Sequence, residues 1–359
     1  CRDLTWGHIW VYDYADPATT NVPIPNDGAP STLFQYDYDG NLAQYVAPLS
    51  PADDAGDLVA PAGWFPVGFD ELSDGPTNSD HPAQNAQSLV PETEVITFYA
   101  EADYDLTDSM ELYSELLLNR RTTKNNSYRQ FWTYTYANGT FLADQEGWSG
   151  SQWYSPTAIT DHNDQEIEVN YTRFVAGLRG DIGDTSWSWD TTLQYSVSDG
   201  DYTDEQIFND SIEDNWGQVV SCVGTVSSVR GAPCVDVNWL SPEVMRGNLT
   251  PEEREFLFGV ETGNTEYTQW SFDAFVTGEL YELPAGALSI ATGIHYREDE
   301  IDDLPGEITL AGNGWGSSAA GNTVGDDKTQ AVFMEFDAPL LADLPAIHNL
   351  TVNASARYT

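Results

Sequence analysis

Cys222 and Cys234 are the clearest pair of reactive side chains in the sequence, because only twelve positions separate them. Outside a reducing compartment such a pair forms a disulfide. Closing so short a loop contributes about 3 kcal/mol, by lowering the entropy of the unfolded chain. Two free thiols, or a bond from Cys1 to one of them, remain as alternatives. Two cysteines without a nearby histidine do not complete a tetrahedral zinc site, so we predict a disulfide and no metal centre.

Carboxylates are crowded at three places: Asp199 with Asp201, residues 298–300, and residues 302–303. Their oxygens could bind Ca²⁺. The spacing of an EF-hand loop is absent, however, so solvated loop charge is the favoured interpretation. The five histidines are scattered, and no nucleophile, base and orienting group form a known catalytic motif. We therefore predict no enzymatic activity and no cofactor.

Aromatic side chains are concentrated in the polar segment 121–165. Flat rings on such a segment could stack on a ligand, or they could pack against one another inside a structured loop. Both interpretations remain open. The candidate ligand-binding residues are Tyr128, Trp132, Tyr134, Trp148 and Trp153.

The 359 residues include 13 basic and 58 acidic side chains, which give a formal net charge of −45. This balance excludes nucleic acid as a partner, because neutralising phosphates requires an excess of Lys and Arg. It indicates either solubility in salty water or a funnel that attracts cations. No stretch approaches the roughly 20 apolar residues of a membrane-spanning helix.

Apolar and polar residues alternate over long segments, and a period of two places them on opposite faces of a strand. Long strands that are apolar on one side and charged on the other favour a barrel with lipid outside and water inside over a soluble sandwich. The side chains predicted to face lipid are Trp187, Trp189, Leu193, Trp270, Phe272 and Ile290. Those predicted to face the lumen are Asp190, Gln194, Asp273 and Arg297.

Eight such strands are predicted, at 94–104, 107–120, 166–182, 185–198, 268–281, 286–299, 328–338 and 347–359. Between them, short turns alternate with the long segments 121–165, 199–267 and 300–327. Outer-membrane barrels have this asymmetry, whereas connections of such length argue against an ordinary compact domain. The predicted fold is therefore all-β: an antiparallel up-and-down transmembrane β-barrel, of which this chain supplies about eight strands, with long extracellular loops.

The chain divides into two predicted regions. Residues 1–93 are a further long extracellular loop region with a small hairpin-like piece at 33–42, and residues 94–359 are the barrel part. Thr250 is predicted to N-cap a short helix at 250–258. The alternation slips within 166–182, which predicts either a bulge near Thr172 or a strand that begins outside the membrane.

Several segments from about residue 90 onward together resemble the β-barrel of TonB-dependent outer-membrane receptors. They cover roughly three quarters of the chain, and their order and spacing are more specific than any one piece. The matching segments are 89–94 (LVPETE), 104–108 (YDLTD), 111–115 (ELYSE), 278–286 (GELYELPAG), 293–298 (GIHYRE), 333–341 (FMEFDAPLL) and 356–359 (ARYT).

The resemblance implies a barrel of about 22 strands with a plugged lumen, in the outer membrane of a Gram-negative bacterium. It implies three partners: TonB through an N-terminal plug, outer-membrane lipid, and a small nutrient that could be a siderophore, cobalamin, oligosaccharide or peptide. It also supports the pairing of Cys222 with Cys234, since related receptors often carry such a loop before an Asn-containing stretch like residues 237–239. No plug or TonB box precedes residue 1 and no terminal strand follows, so we expect a fragment of such a receptor.

Two other function classes remain open. Abundant Trp and paired carboxylates also suit a secreted, acidic, all-β protein that binds or cleaves glycans. A passive porin would share the barrel without energised uptake. The alternation of short and long connections favours a membrane barrel over the first class, and the resemblance favours energised uptake over the second.

Overall fold

The computed structural model of the protein describes residues 7–12, 31–38, 60–67, 86–136, 146–148, 153–214 and 220–359. These residues fold mainly into antiparallel β-strands, which form two sheets. The all-β class predicted from the alternation is confirmed. In chain order the strands are β1 (His8–Tyr12), β2 (Ser31–Tyr36), β3 (Trp64–Val67), β4 (Glu92–Thr107), β5 (Met110–Asn125), β6 (Arg129–Trp132), β7 (Thr135–Tyr136), β8 (Trp153–Thr160), β9 (Gln165–Asp181), β10 (Ser188–Ile207), β11 (Phe258–Leu283), β12 (Gly286–Leu304), β13 (Thr323–Leu344) and β14 (Ile347–Tyr358).

Four short helices lie in the connections: α1 (Asn209–Ile212), α2 (Pro242–Met245), α3 (Pro251–Leu257) and α4 (Glu307–Leu310). Helix α3 begins as the sequence predicts, because Thr250 and Glu253 form a reciprocal capping box and Pro251 occupies the first turn. Among the described residues, none of the helices is long and apolar enough to cross a membrane.

The larger sheet is an eight-stranded meander in the order β4-β5-β9-β10-β11-β12-β13-β14. Each of the eight predicted strands is present, and each pairs antiparallel with its neighbours. The pairing of β9 with both neighbours is continuous through Thr172, so the bulge considered there is absent. The slip in alternation instead arises because Ile167, Val169 and Tyr171, at the start of β9, lie on the same face as Arg173, whereas Leu178 lies on the other face.

The connections within this sheet alternate in length, as predicted. Residues 108–109, 182–187, 284–285 and 345–346 form short turns, whereas 126–164, 208–257 and 305–322 are long. Because successive strands run in opposite directions, all short turns lie at one end of the sheet and all long connections at the other.

The long connections do not extend separately from the sheet. Strand β1 pairs with β2 and with β8, and the resulting smaller sheet has the order β3-β2-β1-β8-β6, with β7 also on β8. Segments from 1–93 thus join segments from the first long connection. Strand β2 pairs with β1 and β3, and the second half of the predicted hairpin-like piece, residues 39–42, lies outside the described residues.

A hydrophobic core lies at the loop end of the molecule, where the smaller sheet meets the second long connection. We call this assembly the loop unit: the smaller sheet (β1–β3 and β6–β8), the second long connection with α1–α3, and the third long connection with α4, whose Trp315 packs against the same core. Its buried residues come from segments distant in sequence: Ile9, Phe34, Trp64, Phe131, Trp148, Tyr154, Ala158, Ile207, Ile212, Val237, Trp239, Leu240, Val244, Met245, Phe256, Leu257 and Phe258.

Candidate functional site

One face of the larger sheet is an apolar band that crosses every strand. Directly paired residues of an antiparallel sheet point to the same side, so one row across the sheet can be followed from strand to strand. That row is Tyr104, Leu112, Leu178, Thr191, Ala274, Ile294, Val332 and Tyr358.

The side chains of this band are exposed although they are apolar. Leu193 is 51% exposed, Ile294 49% and Val332 54%. Soluble monomers rarely expose a continuous apolar surface that crosses eight strands. The six side chains predicted to face lipid lie on this side; Trp187 precedes β10 and packs over Gly278, and Ile290 is covered by its neighbours.

The opposite face is polar, and its side chains form a hydrogen-bonded row. Arg173 lies 3.4 Å from a carboxylate oxygen of Glu115 and donates through Nε to Gln194 Oε1 at 2.9 Å. Gln194 donates to Gln269 at 3.2 Å, and Gln269 donates to Asp299 Oδ1 at 2.7 Å. The row therefore links β5, β9, β10, β11 and β12.

The four residues predicted to face the lumen lie on this polar face. Arg297 Nε donates to Asp299 Oδ2 at 2.6 Å, and His295 Nδ1 lies 2.6 Å from Asp273 Oδ1. Asp190 accepts from the Tyr113 hydroxyl at 2.9 Å. Arg297 thus has its partner in the same strand, whereas Asp273 and Asp190 have partners on other strands, so each of these charges is hydrogen-bonded.

Tyr113 crosses a whole strand to reach its partners. It belongs to β5, but its hydroxyl contacts Asp190 and Thr192 of β10, so its ring must lie over β9. Gly177 of β9 makes this possible, because a Cβ there would lie 2.1 Å from the Tyr113 ring. Arg179 covers the ring from the other side at 5.2 Å.

The aromatic residues predicted to bind a ligand have different environments. Trp148 is 2% exposed and packs edge-on against Phe34 and Trp64, and Tyr134 is also buried. Burial leaves these two rings little surface for a ligand, so packing is their role in the loop unit.

The other three candidates differ in exposure. Tyr128 is half-buried, and Trp132 is 42% exposed. Trp153 begins β8, where its backbone pairs with Tyr12, and its side chain lies outside the described part of the chain. Trp132 and Tyr128 therefore stay the candidates with open ring surface.

The sulfurs of Cys222 and Cys234 are bonded, with the two Cα atoms 5.7 Å apart. The bond closes a loop that carries Arg230 inward. Arg230 donates to Asp210 through its backbone N at 3.0 Å and through Nε at 2.9 Å, and it lies 3.7 Å from the centre of the Phe208 ring.

Asp210 is a buried charge that these contacts stabilise. Burial by itself would raise the pKa of the Asp210 carboxyl. The backbone N–H of Arg230 and the guanidinium outweigh that effect and hold the pKa below its usual value. Asn313 of the third long connection accepts the Asp210 backbone N–H at 2.9 Å, so this one residue ties two connections together.

The crowded carboxylates of the sequence are used in ordinary polar contacts. Asp199 and Asp201 both accept from Asn264 Nδ2, at 2.8 and 2.9 Å, and Glu298 lies 2.9 Å from Lys328 Nζ. Within the described ranges, no group of three or more metal-binding side chains has a geometry that could hold a metal ion.

Sequence reasoning missed three residues of the loop unit, namely Arg129, Trp315 and Asn313. Asn313 is the residue that accepts the backbone N–H of Asp210. Their partners lie in other long connections, and no local pattern marks them. Comparison of the chain with protein-family models found no match, and comparison with curated protein sequences found none either.

Proposed function

We propose that this chain is part of an outer-membrane β-barrel receptor that imports a scarce nutrient by TonB-dependent uptake. The observation that carries the proposal is the larger sheet, which has an exposed apolar face across its eight strands and, opposite it, a polar face with a hydrogen-bonded row from β5 to β12. In such a barrel the apolar band faces lipid and the polar row lines the lumen. The proposed location is the outer membrane of a Gram-negative bacterium.

The edges of the larger sheet support membership in a larger closed structure. Strands β4 and β14 each pair on one side only within the described residues. In hydrocarbon every unpaired backbone N–H and C=O costs several kcal/mol, on the order of a lost hydrogen bond or more. A barrel removes both edges, because further strands pair with β4 and β14.

The asymmetry of the two ends supports a receptor that meets its ligand at the loops. Short turns occupy one end, and the loop unit occupies the other with its own buried core. A ligand arriving from outside the cell would first contact that unit. We assign no catalytic site to the barrel wall, and we propose that the protein transports its ligand without changing it chemically.

The test begins with location and folding of the full-length protein in the outer-membrane fraction. A folded barrel migrates faster on a gel before boiling than after it. Recovery of the protein from the soluble fraction, without this heat-dependent shift, would contradict the barrel and favour a secreted protein.

Uptake then separates a receptor from a passive pore. Cells with and without TonB are given radiolabelled ferric siderophore, cobalamin, oligosaccharide or peptide, and accumulation is measured with and without a protonophore. We expect one of these probes to accumulate only with TonB and an energised inner membrane. Accumulation that continues without TonB would place the protein among passive porins.

A further inference from the structure

Two tryptophans and one arginine meet at the surface of the loop unit. Trp132 of β6 and Trp315, which follows α4, contact each other at right angles, with ring centres 5.3 Å apart and an interplanar angle of 87°. The guanidinium carbon of Arg129 lies 5.2 Å from the centre of the Trp315 ring. Trp315 is thus the common neighbour of Trp132 and Arg129.

This arrangement is fixed by backbone contacts from three segments. Arg129 and Trp132 are held in β6, which pairs with β8. The Trp315 backbone N–H donates to the carbonyl of Ile207 at 2.8 Å, at the end of β10. Gly316, in a left-handed turn with φ of 65°, leaves room for the guanidinium, because a Cβ there would lie 2.5 Å from an Arg129 nitrogen.

Among the residues that the structure describes, no carboxylate forms an ion pair with the Arg129 guanidinium, although the chain has 58 acidic residues. Burial lowers the pKa of Arg129, but an arginine stays protonated at any physiological pH. A half-buried guanidinium has five donors, and its contact with Trp315 satisfies none of them by a conventional hydrogen bond.

We propose that Arg129, Trp132 and Trp315 form a binding site for a ring that carries a carboxylate. The ring would stack on the exposed face of Trp132, since flat faces of sugars and aromatic rings both suit an indole. The carboxylate would accept hydrogen bonds from Arg129, whose planar fork matches that group. This inference rests on the proposed receptor function, because it names the ligand class that the loop unit would take.

The net charge of −45 leads to a prediction for how binding at this site depends on salt concentration. Distant acidic residues repel an anionic ligand, but charges further than a Debye length, about 10 Å at 0.1 M salt, are largely screened. Moderate salt should therefore strengthen binding relative to very low salt. A cationic ligand held by the acidic surface would show the opposite dependence.

The experiment measures binding to the purified full-length protein by calorimetry, which requires neither TonB nor a membrane potential. The probes are oligogalacturonate, the same oligosaccharide with its carboxylates methyl-esterified, and 4-hydroxybenzoate. We expect the ester to bind at least about tenfold more weakly than the acid, since a hydrogen bond to a charged group is lost. The sugar acid and the aromatic acid distinguish the two sources of a ring carboxylate.

Variants assign the binding to this place. Arg129→Gln should weaken the preferred acid about ten- to hundredfold, and Trp132→Ala about three- to tenfold. The matched control, Arg121→Gln, removes an exposed charge from β5 and should leave binding unchanged. Arg129→Lys keeps the charge without the planar fork, so it should retain part of the affinity even if the Gln variant perturbs packing around Trp315.

Three results would overturn the proposal: no binding of either acid, equal binding of acid and ester, or equal loss with Arg121→Gln and Arg129→Gln. Failure of the receptor function has a different signature. If an acid binds in an Arg129-dependent way but its uptake does not require TonB, the binding site is supported and energised transport is rejected.

Discussion

Loss of the Asp210 carboxylate should weaken the loop unit, because it leaves a largely buried partner unpaired. Its carboxylate is fully buried and accepts two hydrogen bonds from Arg230. Asp210→Asn keeps the size of the side chain but removes the charge, and it leaves Arg230 without its ion-pair partner. Removing one member of a buried pair typically costs about 3–5 kcal/mol.

The lower end of that range applies here. Arg230 is one-fifth exposed and keeps its hydrogen bonds to Ser211 and to the Phe256 carbonyl, as well as its contact with Phe208. We therefore expect about 3 kcal/mol. Because about 1.4 kcal/mol changes an equilibrium constant tenfold, this loss raises the population of the opened loop about a hundredfold.

Amide hydrogen exchange measures this opening without unfolding the larger sheet. The reporting amides are those of Ser227, Arg230 and Cys234, whose N–H groups bond within the disulfide loop or to Asp210. The matched control is Asp214→Asn, because Asp214 is exposed and contacts only Ser228 among the described residues. Equal protection of these amides in the two variants would refute the reasoning.

The same carboxylate gives the loop unit a pH dependence. The folded pKa of Asp210 lies below its unfolded value of about 3.9. The charged form is therefore stabilised by folding, and this contribution is complete above about pH 3.9 and is lost as the pH falls through the folded pKa. We expect faster exchange of the Arg230 amide, after correction for the intrinsic rate, only below that pH. Asp210→Asn should abolish the change, and a persisting change in that variant would assign it to another group.

Two further predictions concern the larger sheet. In the proposed barrel, Leu193→Arg on the apolar face should cost about 2–4 kcal/mol in a bilayer, whereas Gln194→Arg on the polar face should cost under about 1 kcal/mol. Urea titration of the bilayer-inserted protein compares the two variants, and equal costs would contradict the proposed assignment of the faces to lipid and lumen. Gly177→Ala should cost about 1–3 kcal/mol, because its Cβ would displace the Tyr113 ring. Gly200→Ala is the control, since its Cβ would meet only ordinary contacts at 3.6 Å, and equal stability of the two variants would show that Tyr113 does not need to cross β9.

The larger sheet was predictable because its signal is local. Alternation within one strand assigns both faces, and a short turn such as 284–285 fixes the next strand as the partner. The ends of strands were less predictable. Strand β11 begins at Phe258, ten residues before the predicted start, because its pairing with β10 continues beyond the apolar band, where alternation no longer distinguishes two environments.

The loop unit was not predictable, because its contacts join segments that are far apart in sequence. Strands β1 and β8 pair with each other although β4 and β5 lie between them in the sequence, and no pattern in residues 8–12 indicates β8 as the partner. The aromatic residues of 121–165 were recognised, but stacking on a ligand and packing in a core require the same residue types. Only burial separates Trp148 from Trp132.

This shared core decides how the loops can be tested. Residues 199–267 suggest a loop deletion, yet this range includes the ends of β10 and β11 that lie next to the long connections, and it supplies core residues such as Trp239 and Met245. Removing them would uncover Phe131, which packs against Trp239 at 5.6 Å, and the amide of Gly7, which donates to Met245 at 2.9 Å. A deletion would therefore disrupt the packing of the first long connection and of the segment at β1, and it would abolish binding wherever in the loop unit the ligand sits. Single substitutions on the surface of the loop unit, with Asp210 and the disulfide intact, are the changes that can locate a ligand.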